Sequence, residues 1–483
     1  MTRTLAELAP GARFAPPEAA DLRIGGLALD SRKVAQGDLF AALPGVHTDG
    51  RKFIPMAVDR GAVAVLAPPG TPAPVPVVEA DDPAAALAAI AARFYPRQPE
   101  TIAAVTGTNG KSSTVEFLRQ IWAAAGHEAA CLGTLGVTRA SGRTEVGYTT
   151  PDAIALHRSL DALAGEGVTH LAMEASSHGL KQKRMDGVRV TAAAFTNLTQ
   201  DHLDYHPDFA DYFASKMRLF SALAEDGAPA VVHMDSDWSD KVAEGCRAAG
   251  LDVITVGWRG RDLAIAEITP RPASQTLHFA WRGADHQAEL PLIGEFQSAN
   301  AVVAAALAIA TGVEPDTAFE ALGALTGVAG RMQSVGRTRQ GAPILLDYAH
   351  TPDGLDKLLR AARPHTQGRI VLVFGAGGDR DPSKREKMGA VAEKLADKII
   401  VTDDNPRSED PSAIRAAILQ GAPSATEVAD RESAIRVGVD ALGAGDVLLI
   451  AGKGHETGQI IGDKVVAFDE AAIIARILAG AAS

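Results

Sequence analysis

Residues 101–122 read TIAAVTGTNGKSSTVEFLRQIW. Ile102 to Val105 are apolar and the first six residues are rich in β-branched side chains, which predicts a strand. Gly107 and Gly110 then break the pattern, and an amphipathic helix follows. A strand, a glycine turn and a helix N-terminus form a phosphate cradle. The glycines let the backbone approach closely, Lys111 supplies a point charge, Ser112 can ligate Mg²⁺, and the helix dipole adds to the field. The usual phosphate-loop pattern has glycine where Val105 stands, so this is a shortened form, G-T-N-G-K-S. It implies a nucleoside triphosphate, but kinases, ATPases, switches and ligases all share such a loop.

Outward from this loop, apolar strands alternate with helical stretches. "HLAMEAS", "AAAFTNL" and "APAVVHM" continue the pattern, which implies a mostly parallel, doubly wound α/β sheet. A second series, "ILLDYAHTPDGLDKLL", "RIVLVFGAGG", "KIIVTDDNPR" and "DVLLIAGKG", ends apolar strands in polar or glycine-rich loops. Ligands in such sheets bind beyond the carboxyl ends of the strands. The prolines of "FYPRQPETIAAVTG" place one boundary near Arg97, and the glycines of "LTGVAGRMQSVG" place another near Gly330. Three α/β domains are expected, over residues 1–97, 98–330 and 331–483.

The chain has 483 residues, 46% apolar and 22% charged, with net charge -12 and no basic stripe. Nucleic-acid binding is not expected, because it needs clustered Lys and Arg. Cys131 and Cys246 are too far apart in sequence to suggest a metal knuckle or a disulfide framework, so a reducing cytoplasm is the default. No signal peptide is apparent, and "AVVAAALAIATGV" is too short for a membrane span. It reads as a buried helix with Asn300 near its start.

Several polar residues stand at or near strand ends. Glu174 closes "HLAME", where a carboxylate suits Mg²⁺ beside a phosphate loop. "DHLDYH" packs Asp201, His202, Asp204 and His206 together. That spacing fits no common structural zinc site, so one histidine on a second Mg²⁺ is preferred. Lys216 lies in "DYFASKMRLF", where the plain reading is a snorkelling lysine on a helix.

Taken together, the motifs resemble the Mur ligase family, ATP-dependent amino-acid ligases of peptidoglycan precursor synthesis. "VTGTNGKSS", "YTTPD", "MEASSHGLKQKR", "TNLTQDHLDYH", "SKMRLF", "GRMQ", "DYAHTPD", "GAGGDRD", "DNPRSEDP" and "GKGHE" occur in family order. The stretch "LALDSRKVAQGDLFAALPGVHTDGRKFI" is similar to the UDP-substrate domain of the branch that adds the third peptide residue. The resemblance implies that Gly107, Thr108, Asn109, Gly110, Lys111, Ser112 and Ser113 hold ATP, with Asn300, Arg331, Asp347 and His350 around the nucleotide. Two Mg²⁺ ions are expected, involving Ser112, Glu174, His202 and a Lys216 carbamylated by CO₂. Lys111, Glu174, His202 and Lys216 are the expected catalytic set. Leu29, Ser31, His47 and Thr48 would face the uridine part of the substrate. Thr149, Thr150, Ser176, Gln182 and Arg184 would position its muramoyl-dipeptide part. One departure is visible: "GEFQSAN" carries Gln297 where the family pattern has asparagine.

The same resemblance makes "DNPR" the signature of the branch that adds meso-diaminopimelate. That amino acid ends in both an ammonium and a carboxylate, whereas lysine ends in an ammonium alone. Arg407 would grip the carboxylate and repel a bare ammonium. Arg380 would pair with a carboxylate and Glu456 with the distal ammonium. Asp404, Asn405, Pro406, Ser408 and Gly452 would complete the pocket. A carboxylate is a poor electrophile, so the expected chemistry passes through an acyl phosphate, with domain closure excluding water. The partners are then the small molecules UDP-N-acetylmuramoyl-L-alanyl-D-glutamate and meso-2,6-diaminopimelate, with no membrane insertion and a monomeric, cytoplasmic enzyme. Competing readings are folylpolyglutamate synthase, without the UDP domain or "DNPR"; a lysine-adding Mur ligase, without Arg407; and a phosphate-loop switch without amide chemistry.

Overall fold

A computed structural model describes residues 2–45, 48–144, 149–199 and 205–480. The chain divides into two compact units. One comprises residues 1–263 with 303–318, the other 264–302 with 319–483.

The first unit holds two larger sheets besides the short pair Arg3–Thr4 with Arg23–Ile24. Near the N-terminus, strands Gly26–Ala28, Asp38–Ala41, Ala64–Ala67 and Val77–Glu79 run parallel, and Arg13–Ala15 closes the edge antiparallel. The middle strand Ala64–Ala67 is buried throughout, as a strand covered on both faces must be. The larger sheet places Thr101–Thr106 between His170–Glu174 and Ala192–Phe195, all parallel. Ala129–Gly133 lies beyond His170–Glu174, while Pro229–His233 and then Asp252–Gly257 lie beyond Ala192–Phe195. The phosphate loop therefore leaves an interior strand, at the carboxyl edge of the sheet. Its helix, Lys111–Ala124, buries Val115, Leu118, Ile121 and Trp122 at helical spacing.

The second unit has a six-stranded sheet, in the order Gln333–Arg337, Pro343–Asp347, Val447–Ala451, Ile370–Phe374, Lys398–Val401, Thr426–Glu427. All neighbours are parallel except the first pair. Its four central strands end in the loops "DYAH", "GKGHE", "GAGGDRD" and "DDNPR", so four candidate motifs share one sheet edge. Leu263–Arg271, Ser274–Trp281 and Ala284–Leu290 form a meander, antiparallel between its last two strands, which the reading of a mostly parallel sheet did not anticipate. The Ala-rich segment forms the helix Glu295–Ala310, as expected. Cys131 and Cys246 are both free and buried. Among the described residues, no helix is long and apolar enough to cross a membrane.

Candidate functional site

In the first unit the phosphate loop is tightly built. Gly107 has φ +149, and a Cβ there would lie 1.9 Å from Thr196 Oγ1. That hydroxyl donates to the carbonyl of Asn109 at 2.6 Å, so the neighbouring strand end braces the loop. Gly110 opens the helix at φ +86, a left-handed conformation that glycine adopts without a steric penalty. Thr108 Oγ1 lies 3.0 Å from the Tyr212 hydroxyl, and the Asn109 N–H donates to Asn197 Oδ1 at 3.0 Å. Ser113 is buried on the first turn of the helix.

Two lysines converge on one oxygen. Lys111 Nζ donates to the carbonyl of Gly107 at 2.9 Å and to that of Thr108 at 2.8 Å. Lys216 Nζ donates to the same Gly107 carbonyl at 2.8 Å. Lys216 is 2% exposed, on the helix Phe209–Arg218, with its Nζ 4.4 Å from the centre of the Tyr212 ring. It does not snorkel; its charged end points inward. Glu174, 1% exposed, accepts from Ser112 Oγ and from the Thr134 N–H, both at 2.8 Å. Ser112 and Glu174 thus offer hard oxygen donors side by side at the phosphate loop, a set that fits Mg²⁺. The expected ligand His202 lies outside the described residues, as do Asp201 and Asp204. His206 is buried and its Nδ1 lies 2.6 Å from Asp211 Oδ2.

The residues expected around the dipeptide form one network. Thr150 Oγ1 donates to the carbonyl of Glu174 at 3.1 Å, and Ser176 Oγ lies 3.0 Å from that same hydroxyl. Ser176 also caps the helix Ser177–Lys181 by accepting from Gly179. Arg184 donates to the Thr150 carbonyl at 2.7 Å and to Gln182 Oε1 at 2.6 Å. Gln182 Nε2 donates to the Tyr205 hydroxyl at 3.0 Å, and Thr149 joins through Thr134 at 3.0 Å. In the N-terminal sheet region, Leu29 packs on the core and Ser31 Oγ sits 3.4 Å from Met56 Sδ. Met56 is exposed although it is large and apolar, and sequence reading did not single it out. Thr48 is exposed, and His47 lies outside the described residues.

In the second unit, Gln297 is buried where asparagine was expected. Its Oε1 accepts from Asn300 Nδ2 and its Nε2 donates to the Arg331 carbonyl, both at 3.3 Å. The longer side chain therefore keeps Asn300 and Arg331 linked. Asp347 accepts from the N–H groups of Met332 and Ala349, both at 2.8 Å. Burial raises its pKa, and those two N–H groups work against the shift. The Arg331 guanidinium lies 5.5 Å from the Tyr348 ring centre, and His350 Nδ1 lies 2.8 Å from the Tyr348 carbonyl.

The loops carrying the residues expected to bind the amine meet around Gly377. A Cβ there would lie 2.9 Å from Arg407 Nη1 and 3.8 Å from both Arg380 Cγ and the Asn405 carbonyl. Arg407 adopts φ +51, rare for a side-chain-bearing residue. Its Nη1 donates to the Gly378 carbonyl at 2.8 Å. Its backbone is held on both sides by the hairpin Gly458–Ala467, donating to Ile460 at 3.1 Å and accepting from Gly462 at 2.8 Å. Asn405 Nδ2 donates to Glu456 Oε2 at 2.9 Å. Gly452 has φ +117, and a Cβ there would meet Asp404 Oδ2 at 2.4 Å. Ser408 donates to Asp379 Oδ1 at 2.7 Å, and the Pro406 carbonyl lies against Gly378. One participant escaped sequence reading: Lys453, fully buried, donates to Asn405 Oδ1 at 2.9 Å.

Three family descriptions match the chain in register: the Mur ligase family catalytic domain over residues 23–95, the Mur ligase middle domain over 105–308, and the Mur ligase glutamate ligase domain over 330–454. The chain belongs to the Mur ligase family. As a Mur ligase it is an ATP-dependent ligase with the three α/β domains of that family. It is 52% identical over 450 residues to the UDP-N-acetylmuramoyl-L-alanyl-D-glutamate--2,6-diaminopimelate ligase of Agrobacterium fabrum, covering 93% of this chain and 92% of that one. It is 50% identical over 488 residues to the ligase of the same name from Caulobacter vibrioides, covering 99% of each. A solved structure of a UDP-N-acetylmuramoyl-L-alanyl-D-glutamate--2,6-diaminopimelate ligase superposes on this Mur ligase with TM-score 0.76 at 31% identity, over the full length of both chains.

Proposed function

We propose that this Mur ligase joins the amino group of meso-2,6-diaminopimelate to the D-glutamate carboxylate of UDP-N-acetylmuramoyl-L-alanyl-D-glutamate, with cleavage of ATP to ADP and phosphate. Relatives that carry this name match over the whole length, including the N-terminal segment that a folate-type ligase would lack. The observation that carries the choice of amine is Arg407, which with Asn405 follows the strand Lys398–Val401, while Glu456 follows Val447–Ala451 on the other side of Ile370–Phe374. A guanidinium and a carboxylate together complement the ammonium-and-carboxylate end of diaminopimelate. A lysine-adding enzyme has no use for the guanidinium. We place the domain boundaries near Arg97 and Gly330 and the reaction in the cytoplasm.

The chemistry follows from charge. An oxygen of the glutamate carboxylate attacks the γ-phosphorus of ATP, the bond to the β-phosphate oxygen breaks, and ADP leaves. Both reacting groups are anionic, so Lys111 and the N-terminus of its helix would stabilise the charge on the phosphates. The amine then attacks the acyl carbon, a tetrahedral intermediate collapses, and inorganic phosphate leaves as the nitrogen gives up a proton. Mg²⁺ held by Ser112 and Glu174, with His202 and a carbamylated Lys216 on a second ion, would supply further screening of phosphate charge. The shared Gly107 carbonyl supports carbamylation. Two ammonium groups on one oxygen repel each other, whereas a carbamate on Lys216 would attract Lys111 and keep an N–H to donate. Thr149, Thr150, Ser176, Gln182 and Arg184 would hold the dipeptide, Ser31 and its neighbours the uridine, and Asn300, Arg331, Asp347 and His350 the nucleotide.

The test is phosphate release from ATP and Mg²⁺ with the UDP-dipeptide and either meso-diaminopimelate or L-lysine. Release with diaminopimelate alone is expected. Release with lysine would keep the ligase and overturn the assignment of the amine; release with neither would overturn the whole reaction.

A further inference from the structure

Lys453 sits where a lysine is costly. It is fully buried, between Gly452 at φ +117 and Gly454 at φ +57. Both glycines are pressed on from outside: a Cβ on Gly452 would lie 2.4 Å from Asp404 Oδ2, and one on Gly454 would lie 2.8 Å from Tyr348 Cβ. A loop bent through two left-handed glycines thus turns an ammonium into the protein. Its Nζ donates to Asn405 Oδ1 at 2.9 Å, an oxygen that also accepts from the Ile460 N–H at 2.9 Å. With its oxygen fixed, the Asn405 amide can only present Nδ2 to Glu456, which it does at 2.9 Å. Lys453 Nζ also lies 3.5 Å from the same Glu456 Oε2. Burial draws the pKa of Lys453 below the usual lysine value; Asp404, Glu456 and Glu470 oppose that shift, and Arg431 adds to it. Arg431 is itself paired with Glu470 at 2.7 Å.

We infer that Lys453 is a positioning residue that sets amine specificity: its buried ammonium orients Asn405 and partly neutralises Glu456 from behind. This rests on the diaminopimelate reading above. A carboxylate that already has a cation at its back attracts a second ammonium less strongly. The distal ammonium of either amine then gains less from Glu456, and lysine, with no carboxylate to pair Arg407, has nothing else to hold that end. Diaminopimelate brings that carboxylate and binds. Arg407 attracts the correct end group, and Lys453 lowers the reward for a bare ammonium.

The experiment measures kcat/KM by phosphate release for diaminopimelate and L-lysine, with wild type, Lys453→Met and Lys453→Arg. The ratio of diaminopimelate to lysine use should fall by about tenfold or more in Lys453→Met, through both a higher KM for diaminopimelate and a lower KM for lysine. KM for ATP and for the UDP-dipeptide should stay unchanged, and Lys453→Arg should recover part of the ratio. An unchanged ratio in a folded Lys453→Met enzyme overturns the inference while leaving the diaminopimelate reading intact. Failure of the wild type to use diaminopimelate would overturn that reading instead. A second measurement needs no variant. 2-Aminopimelate keeps the distal carboxylate and lacks the distal ammonium. With Glu456 already balanced by Lys453, wild type should use it better than lysine; equal or better use of lysine overturns the inference.

Discussion

Replacing Arg407 with alanine isolates one guanidinium. The backbone at this position is unusual, at φ +51, but alanine pays the same steric penalty there as arginine, so the substitution adds no new strain. The loop is also held independently of the side chain, through the N–H bond to Ile460 and the carbonyl bond from Gly462. What disappears is the guanidinium, whose Nη1 donates to the Gly378 carbonyl and lies close to Gly377. A charge-assisted hydrogen bond contributes about 1.5–3 kcal/mol net, so a bidentate grip on a carboxylate is worth about 3–5 kcal/mol. The expected loss in kcat/KM for diaminopimelate is therefore about a hundredfold to a few thousandfold. KM for ATP and for the UDP-dipeptide should hold steady, and lysine should become a relatively better substrate. Arg407→Lys should fall in between, since it keeps the charge and loses the fork. The assay is steady-state phosphate release under varied amine, with a urea midpoint to show that the fold survives. A value of kcat/KM for diaminopimelate within about threefold of wild type would refute the reasoning, because no carboxylate contact of this kind is that weak.

Three further outcomes follow from particular contacts. Glu174→Ala removes the acceptor shared by Ser112 and Thr134; turnover should drop about a hundredfold or more and the Mg²⁺ concentration for half-maximal rate should rise, as measured by metal titration of phosphate release. Glu470→Ala leaves the Arg431 guanidinium buried without its carboxylate and should destabilise the protein by about 3–5 kcal/mol, read from urea unfolding. Burial, with His127 alongside, lowers the pKa of His170 to about 4 from 6.5. The unfolded chain takes up that proton first, so stability should be whole above pH 6.5 and fall as pH drops toward 4; His170→Gln should flatten that slope in pH-dependent unfolding.

The phosphate loop, Glu174 and the four motifs on the C-terminal sheet edge were legible because each couples a strand end to residue types that only chemistry there explains. Lys216 was harder: its helical spacing looked like a solvated lysine, and only packing against Gly107 and Tyr212 shows its inward turn. The meander through residues 263–290 was not read, since its alternation is broken by "TPRPAS" and by glycine, and antiparallel pairing depends on partners the local pattern does not name. Lys453 lay inside a quoted motif and still escaped. A buried cation is recognisable only from the neighbours that compensate it, here Asn405 and Glu456, more than forty residues away and three residues away in sequence. Gln297 departs from the expected pattern, and only the structure shows that its amide bridges Asn300 and the Arg331 carbonyl.

The hydrogen bonds that tie Arg407 to Ile460 and Gly462 give the short hairpin a role beyond its size. Side chains alternate along a strand, so a one-residue insertion or deletion in that ribbon would shift its register and swing the arginine away from its post. If Arg407 selects the amine as proposed, length changes in this ribbon, whose Val465 and Val466 stand exposed, would alter amine use without touching the phosphate loop.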